Sequence, residues 1–252
     1  MPEPVLRIRG LSKNFGGLAA VRDVSLDLHV SELHAVIGPN GAGKSTLINV
    51  MSGDLRHSGG SIRYEGREIA GLSADRICRL GIARSYQKVN IFPWFTVLEN
   101  CRLAAQSRLR SSMRFFRPAH KYAAINVAAE RALSFAGLAG RAGSFAASLS
   151  HGEQRQLEIA MTLATSPRVL LLDEPLAGMG AEESLQLLAL IAKLAADHAI
   201  LLVEHDMDAV FSVARVLTVM VNGRVLESGT PEAVRRSTAV QEAYLGKEGP
   251  VL

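Results

Sequence analysis

Alternation of apolar and polar residues marks roughly the first thirty residues of the chain, and it returns at Ile62 and Tyr64 ahead of a turn at Gly66. The apolar positions of the first stretch are Val5, Leu6, Ile8, Val24, Leu26, Leu28 and Val30. A period of two places every second side chain on the same face of a β-strand. We therefore predict an antiparallel β layer, wrapped around the strand that ends at Ile37.

Three later segments are apolar without alternation, as expected for strands covered on both faces in a parallel sheet. They are 169–172, 200–203 and 216–221. An amphipathic helix at 183–196 separates the first two, and the succession strand, helix, strand predicts a parallel sheet. The fold class is therefore α/β, with a mainly parallel core sheet beside the N-terminal antiparallel β layer.

The middle of the chain, at about 90–165, has a helical pattern. Its clearest helix is the Ala-rich segment 123–136, which ends near Gly137. No internal repeat, low-complexity tract or Pro/Ser-rich linker interrupts the sequence. We predict a single domain over 1–252, with a helical subdomain at about 90–165 and a C-terminal tail at about 230–252.

Composition sets limits on the kind of protein. At 252 residues, with 48% hydrophobic and 21% charged residues, the chain is long enough for a full α/β core. No apolar run approaches the roughly 18 residues of a membrane-spanning helix, and the start MPEPVLRIRG lacks the apolar segment of a signal peptide. We expect a protein that stays in the cytosol, where Cys78 and Cys101, which have no metal-ligand spacing, serve as packing residues.

A local excess of basic residues follows Arg102. The net charge of the chain is only +4, but no acidic residue interrupts the segment 102–121. Its further basic residues are Arg108, Arg110, Arg114, Arg117 and Lys121. Two interpretations remain open, a solvated loop and a surface that contacts a membrane or a membrane partner.

The stretch GPNGAGKST, which begins at Gly38, has the composition of a phosphate-binding loop. Gly38, Gly41 and Gly43 allow the backbone to curl around a phosphate chain and to present N–H groups to its oxygens. Lys44 would reach the β- and γ-phosphates. Ser45 would offer its hydroxyl to Mg²⁺ at the start of a helix whose positive end faces the anion. The alternative is a glycine-rich turn without a ligand.

Charged residues directly follow two of the predicted buried strands. Asp173 and Glu174 follow VLLL, and His205 ends the stretch AILLVEH. A carboxylate at the carboxyl end of a core strand is suited to hold Mg²⁺, which we assign to Asp173. Glu174 would accept a proton from the attacking water, and His205 would contact the γ-phosphate. The alternative is that these charges only terminate the strands.

The segment LSHGEQRQLEIAMTLATSP begins a helix with Ser150 and Glu153 in the spacing of a capping box, which is a structural role. Ser150 and Gly152 would also leave the helix N-terminus bare and able to bind a phosphate. One chain with one triphosphate does not need a second such site. We therefore expect two chains to pair head to tail, each helix end closing over the other's nucleotide.

Gln87 lies between the phosphate-binding loop and the helical region. Its amide could contact Mg²⁺ and relay the state of the nucleotide to whatever the helical region touches. A lone glutamine carries little weight by itself.

Taken together, these motifs resemble the ATP-binding subunit of an ABC transporter over nearly the whole chain and in the family's order. GPNGAGKST matches Walker A, Gln87 the Q-loop, LSHGE the signature, VLLLDEP Walker B and His205 the switch histidine. The fold implied is an ABC-type P-loop NTPase. The resemblance also implies an aromatic residue under the adenine, at Phe15, with Val21 nearby.

The resemblance implies ATP and Mg²⁺ as cofactors and a defined set of site residues. The catalytic set is Glu174, His205, Gln87 and Lys44, and the metal set is Ser45, Gln87 and Asp173. The nucleotide set is Phe15, Val21, Asn40, Gly41, Ala42, Gly43, Lys44, Ser45, Thr46, Gln87 and Asp173, with Ser150, His151, Gly152 and Glu153 acting in trans.

Within the family, FGGLAAV, GIARSYQ, LAGMG, VEHDM and QEAYLG resemble the ATPases of branched-chain amino-acid importers, and the basic stretch resembles the extra segment of their longer ATPase subunit. Two positions depart from the family pattern. His151 replaces the usual glycine of the signature. Gly180 replaces the usual aspartate of the D-loop, which predicts weakened communication between the two sites.

The resemblance implies an ATPase subunit on the cytoplasmic face of the inner membrane. Its expected partners are permease subunits, a second ATPase subunit in a homo- or heterodimer and, indirectly, a periplasmic or extracellular substrate-binding protein. No nucleic acid is expected. The alternatives are an ABC ATPase for another cargo, such as urea, amides or lipopolysaccharide, a soluble ABC ATPase acting on nucleic acid or ribosomes, and a nucleotide-binding but inactive partner.

Overall fold

A computed structural model describes residues 3–87, 89–108 and 122–245. Most of the basic stretch that begins at Arg102 lies outside these ranges. The strands are β1 Leu6–Phe15, β2 Leu18–Leu28, β3 Glu32–Ile37, β4 Gly59–Tyr64, β5 Arg67–Glu68, β6 Ile82–Arg84, β7 Val169–Asp173, β8 Ala199–Val203, β9 Val216–Val221 and β10 Arg224–Gly229. The helices are α1 Lys44–Met51, α2 Ala74–Leu80, α3 Val97–Gln106, α4 Ala123–Phe135, α5 His151–Ala164, α6 Ala181–Leu194, α7 Met207–Val213, α8 Pro231–Arg236 and α9 Thr238–Leu245.

The central sheet has the strand order β10-β9-β3-β8-β7-β6. Neighbouring strands are parallel from β9 to β6, and β10 is added antiparallel at the edge. Every residue of β3, β7 and β8 is buried, which explains the continuous apolar sequence of β8 and of β7 up to Asp173. The predicted mainly parallel core sheet is confirmed, and the carboxyl ends of β3, β7 and β8 meet at one edge.

The N-terminal layer is an antiparallel sheet with the order β2-β1-β4-β5. Leu6, Ile8 and Leu28 are fully buried between this layer and helix α1, which follows β3. The alternating pattern is thus explained by one apolar face against the core and one polar face toward solvent. The predicted antiparallel β layer is confirmed.

Helices α3, α4 and α5 pack around a separate apolar cluster, which we call the helical lobe (residues 97–106 and 122–164). Val97 and Cys101 on α3, Ala129 on α4 and Leu157 on α5 are among its fully buried residues. Cys101 is therefore a packing residue, as predicted, and burial raises the pKa of its thiol to about 12. Throughout the described ranges no helix combines the length and the apolar character needed to cross a membrane.

Three strands were not predicted from the sequence pattern. β5 has only two residues, both exposed. β6 has only three residues and follows a helical stretch, whereas β10 alternates between half-buried and exposed positions at the edge of the sheet. The short β6 matters because it pairs with β7 in parallel and brings Arg84 opposite Leu171, close to the end of β7. The helix predicted at 183–196 begins two residues earlier, at Ala181.

Candidate functional site

The phosphate-binding loop joins the end of β3 to the first residue of α1. Gly43 is in the left-handed region with φ 97°, and a Cβ there would lie 2.3 Å from the carbonyl oxygen of Ala20. Both features require glycine. Because Ala20 belongs to β2, the N-terminal layer holds the loop from one side. Ser45 is exposed and Thr46 half-buried at the start of α1, whereas Ala42 is buried and Asn40 and Gly41 are exposed.

Lys44 is 5% exposed and folds back over its own loop. Its Nζ donates hydrogen bonds to the carbonyl oxygens of Gly38 at 2.6 Å and Pro39 at 3.2 Å. Burial lowers the pKa of the lysine, while the charges of Glu174 and Asp173 oppose that change. A cation held only by carbonyl oxygens is available for exchange to a phosphate, which is a stronger partner because the bond is charge-assisted on both sides.

Asp173 ends β7 and is 4% exposed. Its Oδ2 accepts a hydrogen bond from Nη2 of Arg84 at 2.8 Å, whereas its buried Oδ1 has no hydrogen-bond partner among the described residues. Burial raises the pKa of Asp173, and Arg84 opposes the rise. An unpartnered buried carboxylate oxygen is costly unless it binds something. Oδ1, together with the exposed hydroxyl of Ser45, fits the hard oxygen donors that Mg²⁺ prefers.

Glu174 has a left-handed backbone conformation with φ 47°, which is rare for a residue other than glycine and concentrates at functional sites. Its backbone N–H donates to the carbonyl oxygen of Val203 at the end of β8. Its Oε2 accepts a hydrogen bond from Nε2 of Gln87 at 2.8 Å. The two residues predicted as general base and as relay are therefore in direct contact.

His205 follows β8 and its side chain is 60% exposed, so the imidazole is accessible. The preceding residue, Glu204, is fully buried and accepts hydrogen bonds from the backbone N–H groups of His205 at 3.2 Å and Leu176 at 2.9 Å. Glu204 thus joins the loop of His205 to the loop that follows Glu174. Burial raises its pKa, and these two N–H groups oppose the rise. Glu204 was not among the residues predicted for the site, although a charged residue directly after a buried strand indicates such a role.

Helix α5 begins with the predicted capping box. The Ser150 side chain accepts from the Glu153 N–H at 3.2 Å, and the Glu153 carboxylate accepts from the Ser150 N–H at 2.9 Å. The prediction that the helix N-terminus is bare was wrong, because Oε1 of Glu183 accepts from the Gly152 N–H at 3.3 Å. Glu183 comes from the first turn of α6 and also accepts, through Oε2, from the Gly180 N–H at 3.4 Å.

The remaining predicted site residues differ in accessibility. Phe15 is 46% exposed at the end of β1, so its ring has a free face, and Nζ of Lys13 lies 4.8 Å from the ring centroid. Val21 is fully buried in the core, so its side chain has no surface to offer a nucleotide. His151 is exposed beside Ser150. In the described part of the chain no cluster of three or more His, Cys, Asp or Glu residues could hold a metal without a nucleotide.

Comparison with known proteins agrees with this geometry. Residues 21–177 match the family model described as "ABC transporter", which is more than half of the chain. The chain belongs to the ABC transporter ATP-binding family. The proteins of this family are ATPases coupled to transport. Residues 224–250 match a second family model, "Branched-chain amino acid ATP-binding cassette transporter".

Full-length relatives share two fifths of the sequence. The chain is 40% identical to the "High-affinity branched-chain amino acid transport ATP-binding protein BraF" of Pseudomonas aeruginosa, covering 98% of this chain and 100% of the relative. It is 39% identical to LivG of Escherichia coli, a protein with the same description, over the same shares. A crystal structure of a nucleotide-free ATP-binding cassette from an ABC transporter superposes with a TM-score of 0.86 at 29% identity, covering 96% of this chain and 99% of that one.

Proposed function

We propose that this ABC ATPase powers an importer that takes up branched-chain or related amino acids through a membrane permease. The contact between Gln87 and Glu174 carries the proposal, because it joins the general base to the segment that leads into the helical lobe. The amino-acid cargo is supported by the names of the full-length relatives and by the family match at residues 224–250. We further propose that 1–252 is one ATPase domain, with a helical subdomain at about 90–165 and a tail at about 230–252.

The positions of the side chains support the following chemistry. Lys44 exchanges its carbonyl partners for the β- and γ-phosphates of ATP. Ser45, Gln87 and Oδ1 of Asp173 would hold Mg²⁺, and the bound ion would neutralise charge on the phosphates. Glu174 accepts the proton of the attacking water, and His205 donates a hydrogen bond to the γ-phosphate. Phe15 stacks against the adenine.

The second half of the site comes from a partner cassette, identical or different. Ser150, His151, Gly152 and Glu153 of one chain close over the nucleotide of the other, because the backbone N–H groups at a helix start bind anions. Since Glu183 already accepts from the Gly152 N–H, its carboxylate must move aside when a phosphate arrives. Closing and reopening of this dimer is the motion that the permease converts into transport.

The permease contact is proposed at the exposed aromatic surface that follows the Q-loop. Phe92, Trp94, Phe95 and Phe145 are exposed there, and Trp94 is 81% exposed. Large exposed apolar groups of this kind mark interaction sites. Together with Pro93 they would receive a helix of the permease at the cytoplasmic face of the membrane. An external substrate-binding protein is an indirect partner, and nucleic acid is not a partner.

Affinity purification of the tagged protein from detergent-solubilised native membranes tests the assignment. We expect mass spectrometry to identify two hydrophobic permeases and a second, shorter ATPase. Recovery only in the soluble fraction, together with nucleic acid or ribosomes, would refute transport and leave the ATPase chemistry in place. In reconstituted vesicles, Trp94→Ala should keep basal ATP hydrolysis and lose coupled uptake, whereas unchanged uptake would refute the permease contact.

A further inference from the structure

The Q-loop leaves the central sheet just after β6. The Ser85 N–H makes a hydrogen bond to the carbonyl oxygen of Leu171 in β7, at 3.0 Å. The backbone groups of the next two residues, Tyr86 and Gln87, bond instead to the helical lobe, through side chains of helix α5. Tyr86 and Gln87 are themselves exposed, so apolar burial contributes little to holding this part of the backbone.

Two buried side chains of α5 make these bonds. Oε1 of Glu158 accepts from the Tyr86 N–H at 3.0 Å, and Nη1 of Arg155 donates to the Tyr86 carbonyl oxygen at 2.9 Å. Nη2 of Arg155 donates to the Gln87 carbonyl oxygen, and Nη1 pairs with Oε2 of Glu158 at 2.9 Å. Arg155 is 4% exposed and Glu158 is 5% exposed. This ion pair was not predicted, although two opposite charges three residues apart on a packed helix indicate a possible pair.

This arrangement gives Gln87 two attachments to different parts of the molecule. Its backbone is held by the helical lobe through Arg155, and its amide is held by Glu174 at the end of the core sheet. When Glu174 takes up its catalytic position and displaces Gln87, the displacement is therefore transmitted through Arg155 to α5. Because α5 is a continuous helix with a rise of about 1.5 Å per residue, Ser150 lies only about 8 Å along the axis from Arg155 and moves with it.

We propose that Arg155 and Glu158 are positioning residues that clamp the Q-loop backbone to the signature helix. Through this clamp the occupancy of one chain's nucleotide site sets the position of the helix end that serves the partner's nucleotide. The inference rests on the proposed pairing of two cassettes for its functional consequence. The clamp itself is a property of the single chain, so nucleotide binding and the Trp94 signal can be measured without the partner or the permease, whereas kcat is measured on the assembled pair of cassettes.

Trp94 provides an internal reporter. It is the sole tryptophan of the chain, and the residues on either side of it are tied to the lobe, since Pro93 and Phe95 accept backbone hydrogen bonds from Ala147 and Ala146 at 2.9 Å each. Its indole therefore moves with the lobe, and its emission reports any movement that changes the solvent exposure of the lobe surface around it. The experiment is a titration of the purified full-length chain with MgATP, following Trp94 emission, with the Kd of MgATP measured separately by competition with a fluorescent nucleotide.

The test variants are Arg155→Met and Glu158→Gln, with Ile159→Val on the same helix as a control that alters buried packing without contacting the Q-loop. For the two test variants we expect the amplitude of the Trp94 response to fall at least about twofold and kcat to fall about tenfold, which is within the range of coupling energies between sites in proteins. The Kd of MgATP should be nearly unchanged. Arg155→Lys should restore part of both, since an ammonium can donate to one of the two carbonyl oxygens.

A double-mutant cycle separates clamping from a general structural role. In a Gln87→Ala background the Q-loop no longer reaches Glu174, so Arg155→Met should cause little further loss of kcat. Independent, additive losses would overturn the proposal. So would a wild-type Trp94 signal that does not respond to MgATP, or Arg155→Met and Glu158→Gln responses equal to that of Ile159→Val. A reconstituted transporter that fails to take up amino acids would contradict the proposed function, but it would not affect the conclusions from the Trp94 response and the kcat values of the variants.

Discussion

The nucleotide-binding half of the site and the half that faces the helical lobe are held in different ways. The phosphate-binding loop and Glu174 follow strands whose residues are all buried, and Asp173 is the last residue of one of these strands. The Q-loop and the start of α5 depend instead on polar contacts, made by the Arg155–Glu158 pair, the Ser150 capping box and Glu183. Tightly packed strands hold the residues at their ends in one position. Hydrogen bonds between segments can exchange partners, so the segments that they hold can move. We therefore call the first the rigid half and the second the movable half, and we expect the chemistry in the rigid half and the response to nucleotide in the movable half.

The largest effect is expected from replacing Glu174, the predicted general base of the rigid half. Glu174→Gln should lower kcat by at least about 100-fold, because the amide cannot accept the proton of the attacking water. Binding of MgATP should persist, since Lys44 and Asp173 are untouched. Steady-state ATP hydrolysis and nucleotide titration measure the two quantities. Glu182→Gln, an exposed acid at the start of α6, is the control, and a Glu174→Gln enzyme as active as this control would refute the assignment of the base.

Next in size is the loss of the buried ion pair under the site. Arg84→Met should lower the free energy of unfolding by about 3 kcal/mol, because it leaves the Asp173 carboxylate buried without its partner. Arg63→Met breaks an exposed pair with Glu68 and should cost less than about 1 kcal/mol. Denaturant unfolding of both variants gives the comparison. Equal losses would mean that the rigid half does not depend on this pair.

The nucleotide-binding half can also be probed by pH, through Glu204, which accepts hydrogen bonds from the loop of His205 and the loop that follows Glu174. Because burial raises its folded-state pKa above the ordinary 4.5, the folded protein binds this proton more tightly than the unfolded chain does. The resulting stabilisation is complete below pH 4.5 and is lost as the pH rises through the folded-state pKa. The free energy of unfolding of the wild type, minus that of Glu204→Gln, should therefore decrease as the pH rises above 4.5.

A constant difference across that range would show that the folded state does not hold the proton on Glu204. Glu130→Gln, on an exposed position in the middle of α4, serves as the control for removal of a carboxylate elsewhere on the chain. Only variants that remain fully folded at the lowest pH enter the comparison.

The smallest expected effect on stability concerns Gly180, at the start of α6. It has φ −71°, and a Cβ there would meet no atom within 4 Å. Gly180→Asp should raise the free energy of unfolding by about 0.5 kcal/mol, through lower entropy of the unfolded chain and a better helix cap. It should also raise the Hill coefficient of ATP hydrolysis above that of wild type. Gly180→Ala separates the entropy effect from the carboxylate, and a wild-type Hill coefficient near two would contradict weakened communication.

Much of the fold could be predicted because burial leaves a direct trace in sequence. Strands β7, β8 and β9 were predicted from continuous apolar runs, and the N-terminal layer from alternation. The three-residue β6 left no such trace, and its position became visible only through its pairing with β7. The contacts of Arg84 with Asp173 and of Glu183 with Gly152 join residues 89 and 31 positions apart, and no local pattern encodes which charge meets which partner.

The sequence by itself predicted the chemistry of the site, because a phosphate cradle, a magnesium carboxylate and a general base each require particular residue types next to particular elements. It also determined the family, through the order of those motifs. Only the tertiary structure decided that Gln87 contacts Glu174, that Val21 is buried away from the nucleotide, that Glu183 covers the start of α5 and that Arg155 and Glu158 hold the Q-loop. These are contacts between segments far apart in the chain, and their geometry depends on how the sheet and the helical lobe pack.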